Sequence, residues 1–218
     1  ATQVSGRMLS STAGLITVDS GTVTRVIPIT VSGTTITVGT ATATFGAGQT
    51  MSRANGTPTT LSLMVVDATN MLMSYYTAAT TIAVRNITHN GASAPTLGTA
   101  SANITVASGY GISPMVLLTS TTAQIWYAAT SVTIATRIIT ISGSSAPTFG
   151  TAITNLCQTS VLAGSKSGSI QAGAYSSTET WVALNDPFNN GYAAYISYTV
   201  SGTTVTQQNY KSDYFSQN

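Results

Sequence analysis

The chain has 218 residues, enough for one large all-β domain or two small ones, and 43% of them are hydrophobic against only 6% charged. Disorder needs low hydrophobicity and high net charge, so that class is excluded. The net charge of +2 comes from seven basic residues scattered against five acidic ones, which leaves no cationic cluster to displace counterions from nucleic acid.

One cysteine, Cys157, rules out an intrachain disulfide. Its neighbours carry no cation to lower its pKa, so a buried small hydrophobe is the expected role. The N-terminal residues lack a charged start followed by an apolar run, so no signal peptide is expected. No stretch approaches 18 uninterrupted apolar residues, which argues against a membrane-spanning helix.

Short alternating runs bounded by Gly, Ser, Asn and Pro dominate, and no window holds a helical period. In chain order the expected strands cover residues 6–11, 15–19, 22–31 and 35–42. Pro28 marks a bulge or an edge. A Gly-rich connector, 46–58, follows. The next set is 61–67, 71–76, 81–89 and 95–100, then 114–119, 124–128, 131–141 and 147–153. The last set is 170–175, 181–184, 192–200 and 204–209, with a polar tail at 210–218.

One phrase recurs through these runs. Residues 139–152 read ITISGSSAPTFGTA, residues 29–41 read ITVSGTTITVGTA, and residues 87–100 read ITHNGASAPTLGTA. Residues 198–209, YTVSGTTVTQQN, repeat it without the closing Gly-Thr-Ala. The turn glycines are Gly33, Gly91, Gly143 and Gly202, at near-even spacing. Four copies mean one supersecondary unit used four times. The expected fold is all-β: a four-bladed β-propeller of four antiparallel four-stranded repeats, with blades near 5–45, 58–105, 112–155 and 168–209 in one domain. First strands carry small and mid-sized residues (Met8, Met64, Leu117, Ala172) and are expected nearest the axis. A sandwich pair leaves the fourfold repetition unexplained, and a solenoid needs shorter rungs.

The phrase resembles propeller repeats in virion proteins of tailed phages, of tail-fibre or appendage type, and is similar to repeats in bacterial surface proteins. The resemblance covers almost the whole chain and supports the blade rather than any one protein. The fourth repeat departs from it by losing Gly-Thr-Ala. Four blades is few for a propeller, though the hemopexin-like class shows that four suffices. The resemblance implies a non-enzymatic structural or binding module of a virion, part of a larger assembly with other virion subunits, contacting a host receptor or glycan. A secreted bacterial lectin or adhesin domain, extracellular or at the cell surface, is the alternative, and a glycoside hydrolase the third reading.

Chemistry-bearing residues are sparse. His89, the sole histidine, precedes a hairpin turn and reads as a solvated turn residue rather than part of a triad. Asp19 and Asp67 end strands and could share one face as a carboxylate pair, though turn caps are the commoner use of such residues. No His/Cys cluster suggests zinc, and residues 186–191 lack calcium-loop spacing, so no metal and no cofactor is expected. Trp126 and Trp181 lie inside strands, where packing is the default. The expected binding residues are Asp186, Phe188, Asn189 and Tyr192, in a loop mixing acid, amides and aromatics that suits a sugar.

Overall fold

The computed structural model describes residues 3–19, 24–42, 62–78, 80–107, 114–130, 133–154, 171–186 and 192–213. Cys157, the connector 46–58, Phe188 and Asn189 lie outside the described residues. The described chain is all-β. Repeat 1 comprises β1 (Gln3–Met8), β2 (Ala13–Asp19), β3 (Thr24–Ser32) and β4 (Thr35–Val38). Repeat 2 comprises β5 (Ser62–Val65), β6 (Asn70–Ala78), β7 (Thr81–Asn90) and β8 (Ser93–Leu97), with a short β9 (Ile104–Thr105) also on β7. Repeat 3 comprises β10 (Met115–Thr119), β11 (Thr122–Ala128), β12 (Ile134–Thr140) and β13 (Thr148–Phe149). Repeat 4 comprises β14 (Gln171–Ala174), β15 (Glu179–Asp186), β16 (Tyr192–Ser201) and β17 (Thr204–Asp213). Each repeat is an antiparallel meander whose strands pair in chain order.

Two compact units result. One holds Ala1–Ile104 with Ile141–Thr148, the other Thr105–Thr140 with Phe149–Asn218. In the first, repeat 1 gives Leu9, Leu15 and Val26 to a core shared with Leu63, Met71, Met73, Tyr75 and Ile87 of repeat 2. In the second, Trp126, Ile134 and Ile138 of repeat 3 meet Val182, Ile196, Tyr198 and Val200 of repeat 4. The two-residue period of each strand puts these side chains on one face of their sheet.

The four turn glycines take φ of 58°, 64°, 53° and 58°, at Gly33, Gly91, Gly143 and Gly202. A Cβ built at any of them meets nothing within 4 Å, so backbone strain alone reserves these positions. Replacing Gly143 by Val should therefore cost about 2 kcal/mol, because a left-handed residue is strained and a β-branched one more so. Gly143→Asn should cost much less. Equal melting temperatures for the two variants would refute this assignment.

A different glycine logic closes the repeats. β4 ends at Val38, short of the expected residue 42, and β13 spans only two residues. The Pro28 carbonyl accepts from Gly39 N–H at 2.8 Å, as Asn86 O does from Gly98 and Ile138 O from Gly150. The chain then swings out and returns. Thr42 N–H donates to Val26 O, and Val26 N–H donates back to the Thr42 hydroxyl. Ser101 repeats this pairing with Val84. Within the swing, Gly39 lies under the hairpin of repeat 2, where a Cβ would come 2.4 Å from Ala92 O. Thr40 N–H donates to that same carbonyl at 2.9 Å. Gly98 likewise faces Ser144 O, which accepts from Thr99 at 3.3 Å. Gly150 has Thr203 above it at 3.4 Å. Each Gly-Thr-Ala is thus a notch for the residue that follows the turn glycine of the next repeat. Repeat 4 has no such notch, and β17 runs on through Asp213, into the expected tail.

A second repeated turn went unread in the sequence. Ser10, Asp67, Thr119 and Ser176 each accept the N–H of a Thr two residues on, capping the first hairpin of every repeat.

Candidate functional site

The outward face of repeat 4 gathers the polar and aromatic groups best placed for a ligand. By register, Glu179 lies opposite Thr199 and Trp181 opposite Ser197, so these share one face with Tyr195. Val182, Ile196 and Tyr198 take the other face and fill the core. Trp181 lies flat on β14: a Cβ at Gly173 would come within 2.5 Å of its ring. Tyr195 stacks on Trp181 at 5.8 Å between centroids and 25° between planes. Tyr175, 66% exposed, touches hydroxyl to hydroxyl with Tyr195. Burial, together with the Tyr175 hydroxyl beside it, pushes the Tyr195 phenol up to about 12, so it keeps its proton throughout the neutral range.

Beside this shelf is an open hollow of about 270 Å³, walled by Tyr175, Glu179, Ser197, Thr199 and Gln208. The backbone of Thr180 and Tyr198 forms its floor, because their side chains alternate to the core face. Gln208 reaches the wall through a bulge: Ser197 pairs with Asn209 and Tyr198 with Gln207, which leaves Gln208 without a ladder partner. Its amide donates to the Thr199 hydroxyl at 3.0 Å. A ring shelf, an acceptor carboxylate, hydroxyls and an amide converge here, and Glu179 is the only charge on the wall.

Of the expected binding residues, Asp186 and Tyr192 are described by their backbone alone. Asp186 pairs with Tyr192 where β15 meets β16, about 20 Å along the strand from Glu179. Phe188 and Asn189 lie between them in sequence. Sequence parity could have pointed to the hollow: in Trp181-Val182-Ala183-Leu184 one alternate pair must face outward, and assigning the Val to the core exposes the Trp face.

Asp19 and Asp67 do not form a pair by strand geometry. Asp67 opens the first turn of its repeat, while Asp19 closes β2 at the end away from the corresponding turn. Asp67 is a turn cap: its carboxylate accepts from the N–H of Thr69 and Asn70, the Thr69 hydroxyl and the Asn70 amide. Slight burial pushes its pKa up, but these donors, Asn70 first, outweigh it and hold the group below the usual value. A depressed folded pKa stabilises the fold above the unfolded value, about 3.9, and that contribution is lost as pH falls through the folded one. Asp67→Ala should cost about 1 kcal/mol at pH 7 for a solvent-screened cap, and less at pH 2. An equal deficit at both pH values would contradict the charged cap.

His89 is more engaged than a solvated turn residue. Its Nδ1 accepts the Gly91 N–H at 3.2 Å, and Nε2 lies 3.3 Å from Ile29 O, which the Nε2–H tautomer satisfies as donor. It ties the second hairpin to repeat 1. Trp126 is fully buried against Tyr198, as its mid-strand position implied. Among the described residues no three His, Cys, Asp or Glu side chains come together. A scan against protein-family models found no match, and no curated protein matches the chain.

Proposed function

We propose that the protein is a non-enzymatic display module of a virion, in which the four sheets are β-propeller-type blades and repeat 4 holds a saccharide. The blade reading is supported by four meanders in series and by first strands that lie at sheet edges, β1 beside β5 and β10 beside β14. The virion setting rests on the phrase shared with tail-fibre and appendage repeats. Other virion subunits are the proposed structural partners, and a host glycan the proposed ligand.

The observation that carries the binding reading is the shelf of Trp181 and Tyr195 beside the hollow of Glu179, Ser197, Thr199 and Gln208. Sugars are held by a ring face and a few fixed polar groups, and a hollow this small suits one or two residues of a glycan. Stacking needs little rearrangement, because Trp181 is already pinned on Gly173. A secreted lectin or adhesin would use the same chemistry, and gene neighbourhood separates the two settings.

The test is a glycan array with the wild type, followed by Tyr175→Ala and Gln208→Ala. Tyr175 is mostly exposed, so its loss should weaken binding at least tenfold without moving the melting temperature. Phe188→Ala with Tyr192→Ala should leave binding intact. Loss of binding only in that second pair would move the site to the loop, and an array without any ligand would retire the saccharide.

A further inference from the structure

Repeat 1 presents a half-interface. Its outward face, read from the register, carries Val4 and Met8 of β1, Ile16 and Val18 of β2, and Ile36 and Val38 of β4. Val4, Ile36 and Val38 are 64–67% exposed and Met8 45%. The corresponding face of repeat 2 buries Leu63, Met71, Met73 and Ile87 against repeat 1. In repeat 4 the corresponding face buries Val182, Ile196 and Tyr198 against repeat 3. Of the described residues, Arg25, opposite Val18, is the one charge among these aliphatic side chains, and a grouped apolar face marks an interaction site where single apolar residues do not. Beside it the hairpin Ser32-Gly33-Thr34 is exposed and holds the same left-handed glycine as the hairpins that seat in notches.

We propose that this face docks a Gly-Thr-Ala blade carried by a neighbouring polypeptide, which receives the Ser32-Gly33-Thr34 turn in its glycine notch. The occupant follows from the inventory of notches. Gly39 is filled by Ala92, Gly98 by Ser144 and Gly150 by Thr203, while repeat 4 offers Gln207, Gln208 and Asn209 in that stretch. An unaltered second copy therefore brings no free notch. The partner contributes a bare glycine, a following N–H for the Thr34 carbonyl, and an apolar sheet face, as each preceding repeat does inside this chain. The proposal does not depend on saccharide binding.

The test uses the chain itself as the probe. A copy carrying Gln207→Gly, Gln208→Thr and Asn209→Ala supplies the missing notch and is mixed with wild type in sedimentation velocity. A complex that grows with concentration is expected, lost when the wild type carries Ile36→Lys and Val38→Lys. In a second variant, residues 114–154 are fused ahead of Ala1 through a flexible linker. That added blade should shield Met8, Ile36 and Val38 from hydroxyl-radical footprinting and raise the melting temperature by several degrees, and it decides the matter if the first variant does not fold. Equal self-association of the wild type alone would overturn the notch requirement. Met8, Ile36 and Val38 already shielded in the wild-type monomer would overturn the open face. Neither complex nor shielding would overturn the docking site.

Discussion

Replacing Trp126 by Ala is expected to lower stability by about 3 to 5 kcal/mol, the range for removing a large buried aromatic. Trp126 is fully buried and its ring lies 4.7 Å from that of Tyr198, tilted at 50°. Ile134, Ile138, Val182 and Ile196 belong to the same cluster, so β12 of repeat 3 and β15 and β16 of repeat 4 line the resulting cavity. The indole N–H has no hydrogen-bond partner among the described residues, so its deletion forfeits packing rather than a polar contact. Trp126→Phe should accordingly cost only about 1 kcal/mol, since ring volume is mostly kept and an unpaired donor is removed. Chemical denaturation of the three proteins tests this. A Phe variant as unstable as the Ala variant would mean that the N–H is satisfied after all.

The second large effect concerns the notch. Gly39→Ala should destabilise the unit of repeats 1 and 2 by about 2 to 3 kcal/mol, from overpacking against groups that cannot yield. The added methyl would come 2.4 Å from Ala92 O and 2.8 Å from the Pro28 ring, one a backbone atom and the other locked. The hairpin must lift, and the 2.9 Å bond from Thr40 N–H to Ala92 O goes with it. Gly98→Ala meets Ser144 O at 2.8 Å and should cost less, while Gly150→Ala meets Thr203 carbons and Ile138 O at 3.4 Å and beyond, ordinary contact distances, and should be nearly neutral. Melting temperatures of the three variants should fall in that order. A reversed order would mean that the glycines are there for backbone freedom rather than for clearance.

How much of this the residues disclose in advance depends on how far the physical partner is along the chain. The turn glycines were readable because Ser-Gly and Asn-Gly between alternating runs carry their reason within four residues, and all four adopt the left-handed conformation. The strand count followed from the same local alternation. The notch glycines read only as repeated letters, since what Gly39 accommodates is Ala92, far along the sequence. The ends of β4 and β13 were overextended for that reason: Thr-x-Gly-Thr-Ala alternates like a strand, but the next hairpin draws it away. The shelf of repeat 4 is not legible from residue type, because aromatics inside strands default to packing. Trp181 and Trp126 both lie within strands, yet Trp126 faces the core cluster and Trp181 the outward shelf. Composition cannot tell these faces apart; only the register of Trp181 with Ser197 and of Val182 with Ile196 does. Gln208 was invisible as a wall residue because a bulge, not the alternation, sets its position.

Amide exchange at Thr40 and Thr99 tests the notch most directly. Both residues are exposed and lie outside every strand, where amides ordinarily exchange freely. The notch ties them to Ala92 O and Ser144 O of the following hairpins. Native-state hydrogen exchange should show both amides protected to nearly the level of the neighbouring strands, with Thr40 released by Gly39→Ala and Thr99 by Gly98→Ala. Exchange of Thr40 and Thr99 in the wild type as fast as the exposed turn at Thr34 would contradict the claim that the repeats are locked turn into notch.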